Sequence, residues 1–196
     1  MFSFAAAVFF LIITPGPGVL STAGVGSGFG FRAGLAYVGG LFLGNNLVGL
    51  AVVSGMATVL LALPFVRGVL VYASAAYLLY LAARIALAGS RIAFIEARQA
   101  PGFGAGVALQ AINPKAYAVN AVFFSGFAFW PGNLLAETAL KFLIINAIWV
   151  PIHLAWLAAG VTLRRLDLPP RAQSAINIAM ALSMLAVVAL AALAPH

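Results

Sequence analysis

The stretch Thr14-Pro15-Gly16-Pro17-Gly18 interrupts the first strongly apolar run of a chain of 196 residues. In water, two prolines around a glycine end a helix, because each proline removes a backbone N–H and its ring collides with the preceding turn. Here the apolar sequence resumes with Val19, Leu20 and small residues through Gly28. A run that continues past such a break reads as one span broken inside a membrane. A second interruption, Asn113-Pro114-Lys115, falls in another apolar run a little past the middle of the chain.

Composition points the same way. The chain is 65% hydrophobic and 7% charged, far outside what a soluble domain of this length needs to fill its core, so an all-α integral membrane protein in a lipid bilayer is expected. The net charge of +7 comes from ten basic residues spread singly or in pairs between apolar runs. They form no basic face for a phosphate backbone, which argues against a nucleic-acid partner. With no cysteine, disulfides and thiolate metal sites are excluded, and His153 and His196 are the only imidazoles. Neither a metal centre nor a cofactor is expected. The first run lacks a positive n-region and carries its breakers where a signal peptide needs unbroken apolar sequence, so it is expected to be a retained span.

A hydrocarbon core about 30 Å thick takes roughly 20 apolar residues per helix. On that ruler six runs emerge, near Phe2 to Ser27, Leu35 to Leu63, Val66 to Leu87, Gly106 to Trp130, Leu134 to Val161 and Ala172 to Leu193. The first, third and fifth connections carry Arg32, then Arg84, Arg91 and Arg98, then Arg164, Arg165 and Arg171, against only Arg67 and Lys141 in the second and fourth. The positive-inside rule makes the first set cytoplasmic and places both termini outside, on the periplasmic face of a bacterial-type inner membrane.

The polar connection Ala88 to Phe103 divides this single transmembrane domain, residues 1–196, into a first repeat over about 1–90 and a second over about 104–196. Three spans per half oblige the halves to lie upside down relative to each other, and each half opens with a proline-broken helix. Six transmembrane helices in two inverted three-helix repeats, broken in helices 1 and 4, is the expected architecture, with substrate near the midplane where the broken helices meet. At about 1.5 Å per residue, Pro15 lies roughly 16 to 20 Å from one end of its span and Pro114 roughly 12 to 15 Å from one end of its own. Singly, each proline also reads as a packing kink.

Several motifs carry a family resemblance. Thr14-Pro15-Gly16-Pro17, then Gly30-Phe31-Arg32-Ala33-Gly34-Leu35, then Gly40 and Gly44, resemble the opening of the LysE/RhtB amino-acid exporters. Gln110-Ala111-Ile112-Asn113-Pro114-Lys115-Ala116 resembles that family's second signature, and Asn146, Trp149, Gly160 and Leu163-Arg164-Arg165-Leu166 also fit. The resemblance implies a secondary transporter, not an enzyme, exporting amino acids or related small zwitterions by proton antiport. The chain departs from the usual pattern at Gly18, where the family often has Asn or Asp, and at Ser125-Gly126, where it often has Pro-Gln.

Burying an unpaired ammonium or carboxylate in hydrocarbon costs several kcal/mol, so the site must meet both. Carbonyls freed by Pro15, Pro17 and Pro114 suit the ammonium and half-helix N-termini suit the carboxylate, while Gly16 and Gly18 leave backbone open to close approach. Lys115 reads as a fixed charge for the carboxylate, as a partner for carbonyls at the first break, or as a lysine snorkelling to the interface. Thr14, Gln110 and Asn113 flank the breaks. Asn46, with Asn45, Asn120 and Asn146, reads either as a substrate contact or as interhelical glue.

No carboxylate is placed deep in the membrane. Lys115, His153 and Glu137 therefore remain as candidate proton carriers, with Glu137 four residues from Lys141 and able to pair with it. Glycine pairs such as Gly40 and Gly44 allow close helix packing within the chain or across a homodimer seam. Aromatic residues from Phe123 to Trp130 read as an interfacial belt. Two other function classes fit less well. An intramembrane enzyme would need a nucleophile beside a base, and an inorganic-ion permease would need ligands this chain lacks.

Overall fold

The computed structural model describes residues 1–14, 16–55, 100–130 and 132–166, together with the single positions 63, 65, 69, 72, 76, 79, 169, 171, 172, 174–176, 178, 179 and 182. Among the described residues all regular structure is helical. In chain order the helices are α1 (Phe2–Ile13), α2 (Pro17–Phe29), α3 (Phe31–Val53), α4 (Phe103–Ile112), α5 (Pro114–Ser125) and α6 (Leu134–Arg165). The expected third and sixth spans fall largely outside the described residues, as do Pro15 and most of the connection from Ala88 to Phe103.

The two breaks share one local construction. At the first, Thr14 leaves α1 with extended geometry, Gly16 is fully extended (φ −166, ψ 178), and Pro17 opens α2 as its first residue. At the second, Asn113 is extended (φ −79, ψ 105) and Pro114 opens α5. Proline suits this position because its fixed φ is already helical and the N–H it lacks would have no helical partner. Asn113 also caps α5, its side chain accepting from the Lys115 N–H at 3.1 Å. The helices α1 and α2 meet at 52° and together are long and apolar enough to cross a membrane, as α3 and the stretch Leu134–Leu163 of α6 are singly.

Glycine sets how closely the helices pack. A methyl at Gly40 would collide with the Phe103 carbonyl, and one at Gly44 would lie 2.7 Å from Gln110 Cβ, so α3 and α4 touch backbone to backbone. Across the bundle, methyls at Gly26 and Gly160 would meet the carbonyls of Leu157 and Ala23, pressing α2 onto α6 in the same way. These small-residue faces are thus occupied within one chain. Gly30, with φ 83, lets the backbone turn from α2 straight into α3, a conformation costly for any residue with a Cβ.

Span boundaries shift from the sequence expectation. The second span runs Phe31–Val53 rather than Leu35 to Leu63, because Ser54 bonds back to Ala51 and Gly55 turns with φ 74. The fourth helix pair ends at Ser125, not Trp130. There Lys141 Nζ donates to the Phe124 carbonyl at 3.2 Å and to that of Phe127, drawing the chain out of the helix. Phe123, still within α5, is buried, and Phe127 and Phe129 beyond the helix end pack with it around Phe4, at ring separations of 5.4 to 5.9 Å. This cluster belongs to the core rather than to an interfacial belt; Trp130 alone stays half exposed.

Candidate functional site

The two breaks face one pocket of about 450 Å³, counting its mouth, with α3 and α6 completing the walls. From the first break come Thr14, Gly16 and Gly18; from the second come Gln110, Asn113 and Lys115; α6 adds Trp149 and His153 and α3 adds Asn45. Apolar floor and walls are supplied by Leu11, Ile12, Val19, Val119 and Phe123. Among the described residues, no acidic side chain lines it.

Lys115 links the breaks. As the second residue of α5 it reaches across to donate from Nζ to the Thr14 carbonyl at 2.6 Å. That carbonyl lies at the end of α1, where helical N–H partners run out. The lysine stem lies on Gly16, where an added methyl would stand 2.8 Å from Lys115 Cδ. Glycine at 16 therefore makes room for the lysine. On the α1 side, the Thr14 hydroxyl donates to the Phe10 carbonyl at 2.5 Å, finishing the helix with its own side chain.

Gly18 shows a related fit. A methyl there would lie 3.4 Å from His153 Nε2, so the imidazole fills the space beside the bare backbone. The ring is held by a hydrogen bond between Nδ1 and the Trp149 carbonyl at 3.0 Å and by stacking on the Trp149 indole, with centroids 3.5 Å apart and planes at 13°. A carbonyl only accepts, so Nδ1 carries a proton, and whenever the ring is neutral Nε2 is the acceptor. The Gly18 carbonyl accepts from Ser21 Oγ at 2.9 Å and Thr22 Oγ1 at 2.8 Å, which braces the first turn of α2. Tyr37 of α3 donates to Ser21 Oγ at 2.9 Å and extends that brace to the next helix.

The remaining sequence candidates separate. Pro17 and Pro114 shape the breaks without lining the pocket, and Pro15 is outside the described residues. Asn46 turns away and makes a reciprocal pair with Asn146, at 2.8 and 3.2 Å, which joins α3 to α6. Its neighbour Asn45 lies on the pocket side. In the packed helix Tyr37, Leu41, Gly44, Asn45 and Val48 form one buried stripe, and Asn46, turned by about 100° from Asn45, leaves it.

Glu137 stands apart from the pocket in the first turn of α6. Its Oε1 meets Lys141 Nζ at 2.8 Å, and Oε2 accepts from the N–H groups of Phe129, at 3.0 Å, and Trp130. Spacing anticipated the ion pair; the loop it clasps was not readable from spacing.

No solved structure matches the chain. The model of one protein family, described as LysE type translocator, matches residues 9–194, nearly the whole length and including both breaks and every pocket residue named above. The chain therefore belongs to the LysE type translocator family, membrane exporters of amino acids or related compounds.

Proposed function

We propose that this protein is a secondary active transporter that exports amino acids or related small zwitterionic metabolites across a bacterial-type cytoplasmic membrane. In this reading it works by alternating access about the two helix breaks. The observation that carries it is the bond from Lys115 Nζ to the Thr14 carbonyl beside the shared pocket. A tie between two broken helices is a contact that can form in one state and exchange for substrate in another. Half-helix ends offer partial charges to a zwitterion without introducing many ionised side chains into hydrocarbon.

Proton antiport is part of the same proposal, with His153 as the carrier favoured over Glu137. His153 lines the pocket, whereas every carboxylate oxygen of Glu137 is engaged in its clasp. Six spans in two inverted repeats, with both termini outside, complete the proposed architecture.

Purified protein in proteoliposomes tests the reading. Vesicles loaded with a labelled mixture of neutral amino acids should release label when a pH gradient is imposed, and release should stop when the gradient is collapsed. Retention of label under every imposed pH gradient and membrane potential would reject the exporter.

A further inference from the structure

The hydrogen bonds within the pocket wall fix which way its amides face. The Lys115 N–H can only donate, so the Asn113 atom 3.1 Å away is Oδ1, and Nδ2 must point the other way. Nδ2 donates to Gln110 at 2.8 Å, so the Gln110 atom receiving it is Oε1. The Gln110 Nε2 group is then left over. A second chain of the same kind begins at the Ala116 carbonyl, which can only accept. Asn120 Nδ2 donates to it at 2.8 Å and to Asn45 Oδ1 at 3.2 Å, leaving Asn45 Nδ2.

Both leftover groups are N–H donors on otherwise buried residues, Gln110 being 3% and Asn45 8% exposed. Among the described residues no fully buried side-chain nitrogen or oxygen lacks a partner. These two nitrogens therefore retain open space, and the space their residues line is the pocket. Lys115 adds the ammonium protons not given to Thr14. The oxygens of Asn113, Gln110 and Asn45 each already accept a hydrogen bond, and the groups left without a partner on this wall are the two amide N–H sets and the remaining protons of the Lys115 ammonium.

From this the geometry points to a carboxylate subsite formed by Lys115, Gln110 and Asn45, and to a substrate that bears a carboxylate and no net positive charge. The inference rests on the exporter reading and names its substrate class: neutral or N-acylated amino acids, with basic amino acids and carboxyl-blocked amines rejected. A carboxylate offers acceptors to all three donor groups and neutralises a cation that otherwise stands in hydrocarbon with one carbonyl partner. A substrate's own ammonium can turn to the C-terminal end of α1, where helical N–H partners run out, and to His153 Nε2 when that ring is neutral. A second cation on the substrate would find no anion among the described pocket residues.

Isothermal titration of the full-length protein in detergent tests this with matched probes for each of several small side chains: the free amino acid, its N-acetyl derivative and its amide. Free acids and N-acetyl acids should bind, amides should bind at least tenfold more weakly than the acids, and lysine and arginine should not compete. Asn45→Asp and Gln110→Glu each keep the accepting oxygen and replace only the free N–H group with an oxygen. Both should weaken acid binding at least tenfold and narrow or reverse the preference over the amide, in protein whose gel-filtration profile is unchanged.

Amides binding as tightly as acids, basic amino acids competing, or no acid in the panel binding would each overturn the carboxylate subsite. So would unchanged acid binding in both folded variants, and if the variants fail to fold, the wild-type panel still decides. Counterflow of the same probes in proteoliposomes separates this from the exporter reading. Acids that bind but never exchange across the bilayer would sink the exporter and leave the subsite standing; amides that exchange as fast as acids would do the reverse.

Discussion

Lys115 Nζ lies 2.6 Å from the Thr14 carbonyl oxygen, so the one lysine lining the pocket is also the tie between its two helix breaks. This single contact joins residues 101 positions apart, from opposite halves of the sequence. Of the readings open for Lys115, this contact matches the partner for carbonyls at the first break, with the lysine stem lying along Gly16, which has no side chain to obstruct it.

Replacing Lys115 with Met keeps most of the stem and removes the charge. A hydrogen bond from a charged group contributes about 1.5 to 3 kcal/mol, which corresponds to roughly a tenfold to hundredfold change in an equilibrium constant. Substrate exchange by Lys115→Met in proteoliposomes is expected to fall by at least that tenfold, while the protein remains monodisperse in detergent. Wild-type exchange by the variant would detach Lys115 from the mechanism.

Gly16→Ala tests the same contact from the other side. The added methyl would stand 2.8 Å from Lys115 Cδ and 3.1 Å from Nζ, so the lysine must shift, and its bond to Thr14 is the contact this puts under strain. Exchange is expected to drop several-fold in Gly16→Ala alone. In the Lys115→Met background the same substitution should add little, because the bond it disturbs is already gone, and a double-mutant cycle reads this coupling directly. Fully additive losses would mean that Gly16 acts independently of Lys115.

Gly18 and His153 should behave as a volume-complementary pair. A methyl at 18 meets His153 Nε2 at 3.4 Å, an ordinary contact, so Gly18→Ala is expected to transport near the wild-type rate. Asparagine is larger and has to displace the imidazole from its stack on Trp149, so Gly18→Asn should impair transport. Adding His153→Ala to Gly18→Asn frees that volume and should recover part of the loss. If Gly18→Asn leaves both rate and substrate range untouched, position 18 does not face the site.

Much of this site was legible in the sequence because proline and glycine act through the backbone, where residue identity dictates geometry. Gly16-Pro17 and Asn113-Pro114 favour an extended residue followed by a helix start, because proline disfavours the α conformation in the residue before it and suits the first position of a helix. Gln110, Asn113 and Lys115 came with the second break for the same reason. Asn45 and Asn46 were not separable, since both are polar, adjacent and in one helix, and only packing of the Tyr37 stripe tells which one turns inward. The end of the fourth span was misplaced because Phe127 and Phe129 are as apolar as a span requires. What removes them from the helix is the Lys141 ammonium bonded to the carbonyls of Phe124 and Phe127, a tertiary contact that hydropathy does not register.

That contact is also the basis of a stability prediction away from the pocket. Glu137 and Lys141 pair at 2.8 Å while Glu137 accepts from the N–H groups of Phe129 and Trp130, so the pair fastens the loop that carries Phe127 and Phe129 against Phe4. Removing one partner of a buried pair leaves the other charged and uncompensated, whereas replacing both with apolar groups relieves that penalty. Glu137→Ala is therefore expected to lower the unfolding temperature in detergent more than the double variant Glu137→Leu, Lys141→Leu. Ligand binding by whatever protein remains folded should be little changed in either, because neither residue lines the pocket. A Glu137→Ala protein that unfolds at the wild-type temperature would show that the aromatic cluster holds the loop without the clasp. Loss of ligand binding at full thermal stability would instead make Glu137 part of the transport cycle, and would shift the proposed proton carrier away from His153.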